Sequence, residues 1–71
     1  MIIKFKSEVH MDIFSKINIG WSSHNKNLVD RYGMNGFEVT LSDYGEWWDT
    51  VDGDFTIHSR GEGQYFEVVS R

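Results

Sequence analysis

The sequence predicts an all-β domain: a small antiparallel meander closing into a barrel or sandwich of six or seven short strands, with room for one short helix. Two observations carry that expectation. The first is composition. The 71 residues contain no alanine and only two leucines, Leu28 and Leu41, so the strongest helix formers are nearly missing. Isoleucine, valine, phenylalanine, tyrosine and tryptophan, which favour strands, supply most of the apolar mass. The second is a series of glycine-containing turns whose flanking residues fall into one consistent pair of faces.

The turns can be taken in order. In "MNGF", Asn35-Gly36 has the chemistry of a two-residue hairpin loop. It would pair Met34 with Phe37 and Tyr32 with Val39. "DYGE", residues 43–46, can join Ser42 to Trp47 and Leu41 to Trp48. "VDGD" offers Asp52-Gly53 as another two-residue loop, pairing Val51 with Asp54, Thr50 with Phe55, Trp48 with Ile57 and Trp47 with His58. "RGEG", residues 60–63, would turn the chain again and pair His58 with Tyr65 and Ile57 with Phe66.

Read together, these registers gather Tyr32, Met34, Phe37, Val39, Leu41, Trp48, Thr50, Phe55, Ile57, Phe66 and Val68 on one face. A slip of one residue would turn each strand's apolar set outward. The expected meander therefore runs from about residue 28 to residue 70.

Residues 1–21 are less decided. Ile3, Phe5, Val9, Met11, Ile13, Ile17 and Ile19 alternate as in strands, but Val9, Ile13 and Ile17 are also spaced by four, as on a helix. The isoleucines favour two strands. A competing reading covers "SDYGEWWDTVDG". There Asp43 and Glu46 resemble a capping box, and Tyr44, Trp47, Trp48 and Val51 fall on one helical face. The alternative class is therefore α+β, with a helix at about residues 43–52.

Length and charge bound the function. A single small domain spanning residues 1–71 is expected, and one this size has a limited core. Without cysteine it can use neither disulfides nor thiolate metal sites. The opening "MIIKFKSEVH" has no long apolar run, so neither a signal peptide nor a membrane span is expected, and the cytoplasm is the default compartment. Residues 1–35 hold five basic and three acidic side chains, a balance of +2, whereas residues 36–71 hold two basic and eight acidic, a balance of −6. Such an acidic half repels phosphate backbones and suits a basic partner.

No catalytic, metal or cofactor motif is present. His10, His24 and His58 lack metal-pair spacing. His58 beside Ser59 is no dyad, because neighbours on a strand point apart. The calcium-loop pattern fails for "DTVDGD", since Ile57 and Gly63 occupy the glycine and glutamate positions counted from Asp52. "EWW" followed by a glycine turn and a closing apolar strand resembles SH3-like small barrels, but the proline of their last strand is absent and no ligand site follows.

Strand alternation through the tryptophan doublet sends Trp48 into the core and Trp47 to the second face. On that face Trp47, His58 and Tyr65 would form one row, with Val51 and Val69 nearby and Asp49, Asp54 and Glu67 as an acidic rim. The bland reading is that residues 1–21 fold over this row. The functional reading is a protein-binding patch, because tryptophan and tyrosine commonly anchor interfaces. The expected role is a non-catalytic inhibitor or accessory domain of a larger enzyme or complex. The alternatives are stacking of single-stranded bases or sugars on the aromatic row, and a homo-oligomer sealed by that row or by free sheet edges.

Overall fold

The computed structural model describes residues 1–17 and 23–71. Along the chain the elements are β1 (Ile2–Phe5), α1 (Glu8–Ser15), α2 (His24–Tyr32), β2 (Phe37–Ser42), a 3-10 turn (Asp43–Gly45), β3 (Trp47–Thr50), β4 (Thr56–His58), α3 (Ser59–Glu62), a second 3-10 turn (Gly63–Tyr65) and β5 (Phe66–Ser70). The strands make one antiparallel sheet in the order β4-β3-β2-β1-β5. The class is α+β, with an open sheet rather than a closed barrel.

The β2-β3-β4 half follows the expected registers. Ser42 pairs with Trp47 and Leu41 with Trp48. Trp47 pairs with His58 and Trp48 with Ile57. The backbone N–H of Thr50 donates to Phe55 at 2.9 Å. Beyond that pair the loop is wider than expected: Val51 does not face Asp54, and its N–H donates instead to Glu38 at 3.2 Å. Gly53, at φ 83°, supplies the left-handed residue that lets the turn close.

Three expectations about single elements are overturned. Residues 24–32 are a helix, not a strand, so Tyr32 does not pair with Val39 across a hairpin. Asn25, Leu28, Val29 and Tyr32 form an i, i+3, i+4, i+7 stripe turned to the core. The helix stops at Gly33, whose positive φ of 56° and N–H bond to Val29 end it as glycine commonly does. Asn35-Gly36 thus links a helix to β2.

Second, residues 8–15 are also helical. Ser7 caps α1, its hydroxyl accepting from the N–H of His10 at 3.2 Å, and this satisfies a donor that the first turn leaves free. Phe14 is the residue α1 buries, while Val9 and Ile13 are 66% and 45% exposed.

Third, "RGEG" is not a hairpin. The chain turns helical at Ser59, with His58 Nδ1 accepting from Gly61 N–H and Glu62 accepting from His58 N–H. Residues 59–65 then cross from the β4 edge to the opposite edge, where β5 pairs with β1, Phe66 against Phe5 and Val68 against Ile3. Of the two readings of residues 43–52, the strand holds and the alternative helix does not form; only Asp43–Gly45 is helical, and β3 follows directly.

The helices cover one face of the sheet. Phe5, Phe14 and Phe66 form its aromatic centre, with Phe5 stacked on Phe66 at 4.4 Å and Phe14 edge-on to both at 5.3 and 5.2 Å. Tyr32 stacks on Phe37 at 4.1 Å, and Trp48 lies half-buried against Phe66 and Gly63. Of the expected core face, Phe37, Val39, Thr50, Phe55, Ile57 and Phe66 are buried, whereas Met34, Leu41 and Val68 remain exposed.

Candidate functional site

The second face of the sheet is left open by every helix described. Alternation places Lys4 of β1, Glu38 and Thr40 of β2, Trp47 and Asp49 of β3, Thr56 and His58 of β4, and Glu67 of β5 there. The tryptophan doublet divides as strand geometry requires: Trp48 packs under the helices and Trp47 stands on the open side.

At the β3-β4 end Trp47 meets His58 edge-on, ring centroids 4.6 Å apart. Glu46 Oε1 lies 3.6 Å from His58 Nε2. Since Nδ1 of that ring accepts from Gly61 N–H, a neutral His58 carries its proton on Nε2, toward Glu46. One position along the ladder, the carboxylate of Asp49 is held from both neighbouring strands: Ser42 donates to Oδ2 at 3.0 Å and Thr56 to Oδ1 at 2.9 Å. Both donors are neutral, and among the described residues no lysine, arginine or histidine lies within ion-pair reach of Asp49.

The remaining expected site residues are dispersed. Tyr65 does not join the row. It lies in the 3-10 turn after α3 and packs edge-on against Phe14 under the helices, at 6.2 Å, because residues 59–65 are helical. Asp54 is drawn toward α2, where it pairs with Arg31 at 3.0 Å. Glu67 does face the open side, but on β5, three strands from Trp47, and it pairs with Lys4 at 3.4 Å. Val69, also on β5, is equally remote, and Val51 is exposed in the turn after β3. Ser42 and Thr56 are the site members that the sequence reading missed. The registers already set Thr56 opposite Asp49, so the second hydroxyl partner was within reach of the turn argument.

A fully exposed tyrosine, Tyr44, marks the end of the same hairpin. Asp43 and Tyr44 both hold positive φ, 49° and 59°, a region that costs a residue with a Cβ roughly 1–2 kcal/mol.

The strongest electrostatic cluster lies elsewhere, where the β3-β4 turn meets α2. The carboxylate of Asp52 accepts from the Tyr32 hydroxyl, from Thr50 Oγ1 at 2.7 Å, from the N–H of Asp54 at 3.0 Å and from Arg31 at 2.9 Å. The Tyr32 hydroxyl, then the Asp54 N–H and the Thr50 hydroxyl, lower its pKa to about 2. Tyr32 is pushed up, first by burial and then by its bond to Asp52. These donors come from the end of β3, the turn after it and the helix it touches, so the cluster fastens the hairpin to α2.

No helix among the described residues is long and apolar enough to cross a membrane. No family model, curated protein or solved structure matches the chain.

Proposed function

We propose that this chain is a non-catalytic protein-binding domain whose open sheet face, centred on Trp47 and Asp49, receives the basic surface of a protein partner. The observation that carries the reading is the Asp49 carboxylate: half-buried, bonded only by neutral hydroxyls, and two residues from a half-exposed tryptophan on a face no described helix covers. A lysine or arginine from the partner would supply the missing charge while its apolar stem or guanidinium lies on the indole, a contact worth about 0.5–2 kcal/mol. Glu46 and Glu38 extend the acidic field around it. Lys4 is the lone lysine or arginine that the strands place on this face, and Glu67 already pairs with it. Face-to-face pairing of two copies would therefore set acid against acid. The same repulsion disfavours a phosphate backbone. The role this supports is that of an accessory or inhibitory domain.

The test is binding by three immobilised proteins: wild type, Trp47→Ala and Asp49→Asn. All three are checked for folding by circular dichroism and exposed to lysate of the source cell. Support requires a captured protein with a basic surface whose binding to purified wild type weakens as salt rises. Each substitution should reduce that affinity, Trp47→Ala by roughly 30-fold, as for an interface anchor worth about 2 kcal/mol. The reading fails if both folded variants bind like wild type, or if nuclease treatment removes everything captured.

A further inference from the structure

The chain contains two Xaa-Gly turns of the kind that can cyclise, Asn35-Gly36 and Asp52-Gly53, and the structure treats them in opposite ways. We propose that Asn35 is a spontaneous modification site: in the folded protein it converts through a succinimide to a mixture of isoaspartate and aspartate, while Asp52 is protected. The proposal is independent of the binding role given to the sheet face.

The chemistry needs the backbone nitrogen of Gly36 to reach the side-chain carbon of Asn35. Hydroxide removes the Gly36 amide proton, the nitrogen attacks Cγ, and the new N–Cγ bond displaces the Asn35 amide as ammonia. Water then opens the five-membered ring. Attack at Cγ leaves aspartate; attack at the Asn35 main-chain carbonyl leaves isoaspartate, with the chain continuing through the former side chain. No oxidant, metal or enzyme is required. A following residue without a Cβ gives the nitrogen its freest approach.

Asn35 and Gly36 are both exposed and lie outside α2 and β2. The other asparagines are less suited. Asn25 is buried, with its amide donating to Phe14 and Glu62, and Lys26 follows it. Asn27 lies within α2 and precedes Leu28. Asn18 is outside the described residues and precedes β-branched Ile19.

The Asp52 turn is held shut at each reacting position. The Gly53 N–H donates to Thr50 at 2.9 Å. Both carboxylate oxygens of Asp52 accept hydrogen bonds, and its lowered pKa keeps it in the ionised form, which cyclises least readily.

The consequence falls on the link between α2 and β2. Conversion puts a carboxylate beyond the C-terminus of α2, where the helix dipole disfavours negative charge. Isoaspartate also adds a backbone carbon just before Gly36. A Cβ added at Gly36 would stand only 3.2 Å from Ile2 Cγ2, so this link has little room to shift.

The experiment incubates the folded full chain, the same chain in urea, and Asn35→Gln side by side in one neutral buffer at one temperature. Tryptic peptides are then mapped. The peptide from Tyr32 to Arg60 holds Asn35 as its lone asparagine and also holds Asp52, so one peptide reports both turns. The expected result in the folded chain is conversion at Asn35 before any other asparagine, to both isoaspartate and aspartate, with Asp52 unchanged. Urea should release Asp52 to isomerise. The Asn35→Gln chain should keep the wild-type spectrum without that conversion. The proposal is overturned if Asn35 keeps its amide in the folded chain after the urea sample has converted. Aspartate without isoaspartate, or Asp52 isomerising as fast as Asn35 in the folded chain, would overturn it equally.

Discussion

The side-chain amide of Asn25 donates to Glu62 Oε2 at 3.1 Å, joining α2 to α3. The same nitrogen donates to the backbone carbonyl of Phe14 at 3.1 Å, and the Asn25 oxygen lies 2.7 Å from His24 Nδ1. One buried amide thus joins all three helices on the covered face. At the C-terminal end of α1 it adds a side-chain donor to the carbonyl of Phe14, which also accepts from the N–H of Ile17 at 3.2 Å.

Removing that amide should therefore cost more than its volume. Asn25→Ala is expected to destabilise the fold by about 1–3 kcal/mol, since the bonds to Phe14 and Glu62 are lost together. Asn25→Asp should be worse at neutral pH, because its carboxylate would face that of Glu62 across the same short distance. Below the range where carboxylates ionise, the gap between the two variants should close. Urea denaturation at pH 7 and pH 3 measures both. If Asn25→Asp equals Asn25→Ala at pH 7, the link to Glu62 does not persist in solution.

The cluster around Asp52 gives a pH dependence with a definite sign. Its carboxyl has an ordinary value of 3.8 and is lowered to about 2 in the folded chain, so the folded state holds the proton less tightly than the unfolded state. Such a group adds stability above about pH 4, and that contribution is lost as pH falls toward 2. Asp52→Asn should flatten the stability profile between pH 4 and pH 2, and Tyr32→Phe should flatten it partly by removing the hydroxyl that lowers the carboxyl most. A wild-type slope retained in Asp52→Asn would place the acid sensitivity at other carboxylates.

The parts of the fold legible in the sequence are those whose contacts are local. The β2-β3-β4 ladders are closed by "DYGE" and "DG" turns, and each register needs only the few residues beside its turn. The β1-β5 ladder pairs the two ends of the chain, Ile3 with Val68, and no local pattern encodes such a contact. For α2 the periodic signal was present in Asn25, Leu28, Val29 and Tyr32. It was masked because Asn35-Gly36 has hairpin chemistry and because one of the four inward positions is polar. For α1, Val9 and Ile13, whose spacing suited a strand and a helix alike, are the exposed ones. At the site, Trp47 and His58 followed from register alone. Tyr65 was misplaced because a four-residue helix containing glycine carries almost no propensity signal, and its cap is formed by His58 and Glu62 rather than by a serine or aspartate.

The doublet offers a direct comparison between the two faces. Trp48→Ala removes a half-buried ring packed on Phe66 and Gly63 and should cost about 2–4 kcal/mol, somewhat below the range for fully buried aromatics. Trp47→Ala loses its contact with His58 and part of its burial, and should cost about 1 kcal/mol. Chemical denaturation of the two variants under identical conditions measures the difference. Equal losses would mean that both indoles support the core and that the open face is not free for a partner.

Tyr44 separates strain from recognition. Its side chain is fully exposed while its backbone sits at φ 59° and ψ 31°, so the folded state gains nothing from burying the ring and carries the cost of a left-handed tyrosine. Tyr44→Gly relieves that cost, of roughly 1–2 kcal/mol, but it also frees the unfolded chain by about 0.5–1 kcal/mol. The net expectation is a variant as stable as wild type or up to about 1.5 kcal/mol more stable. Tyr44→Ala keeps the Cβ, loses the ring, and should leave stability unchanged. If Tyr44 extends the contact made by Trp47, both variants will bind the partner less tightly despite undiminished folding, and the two losses will be alike. A destabilised Tyr44→Ala would show instead that the ring packs on the turn in solution, and the strain would then be offset by contacts inside the domain.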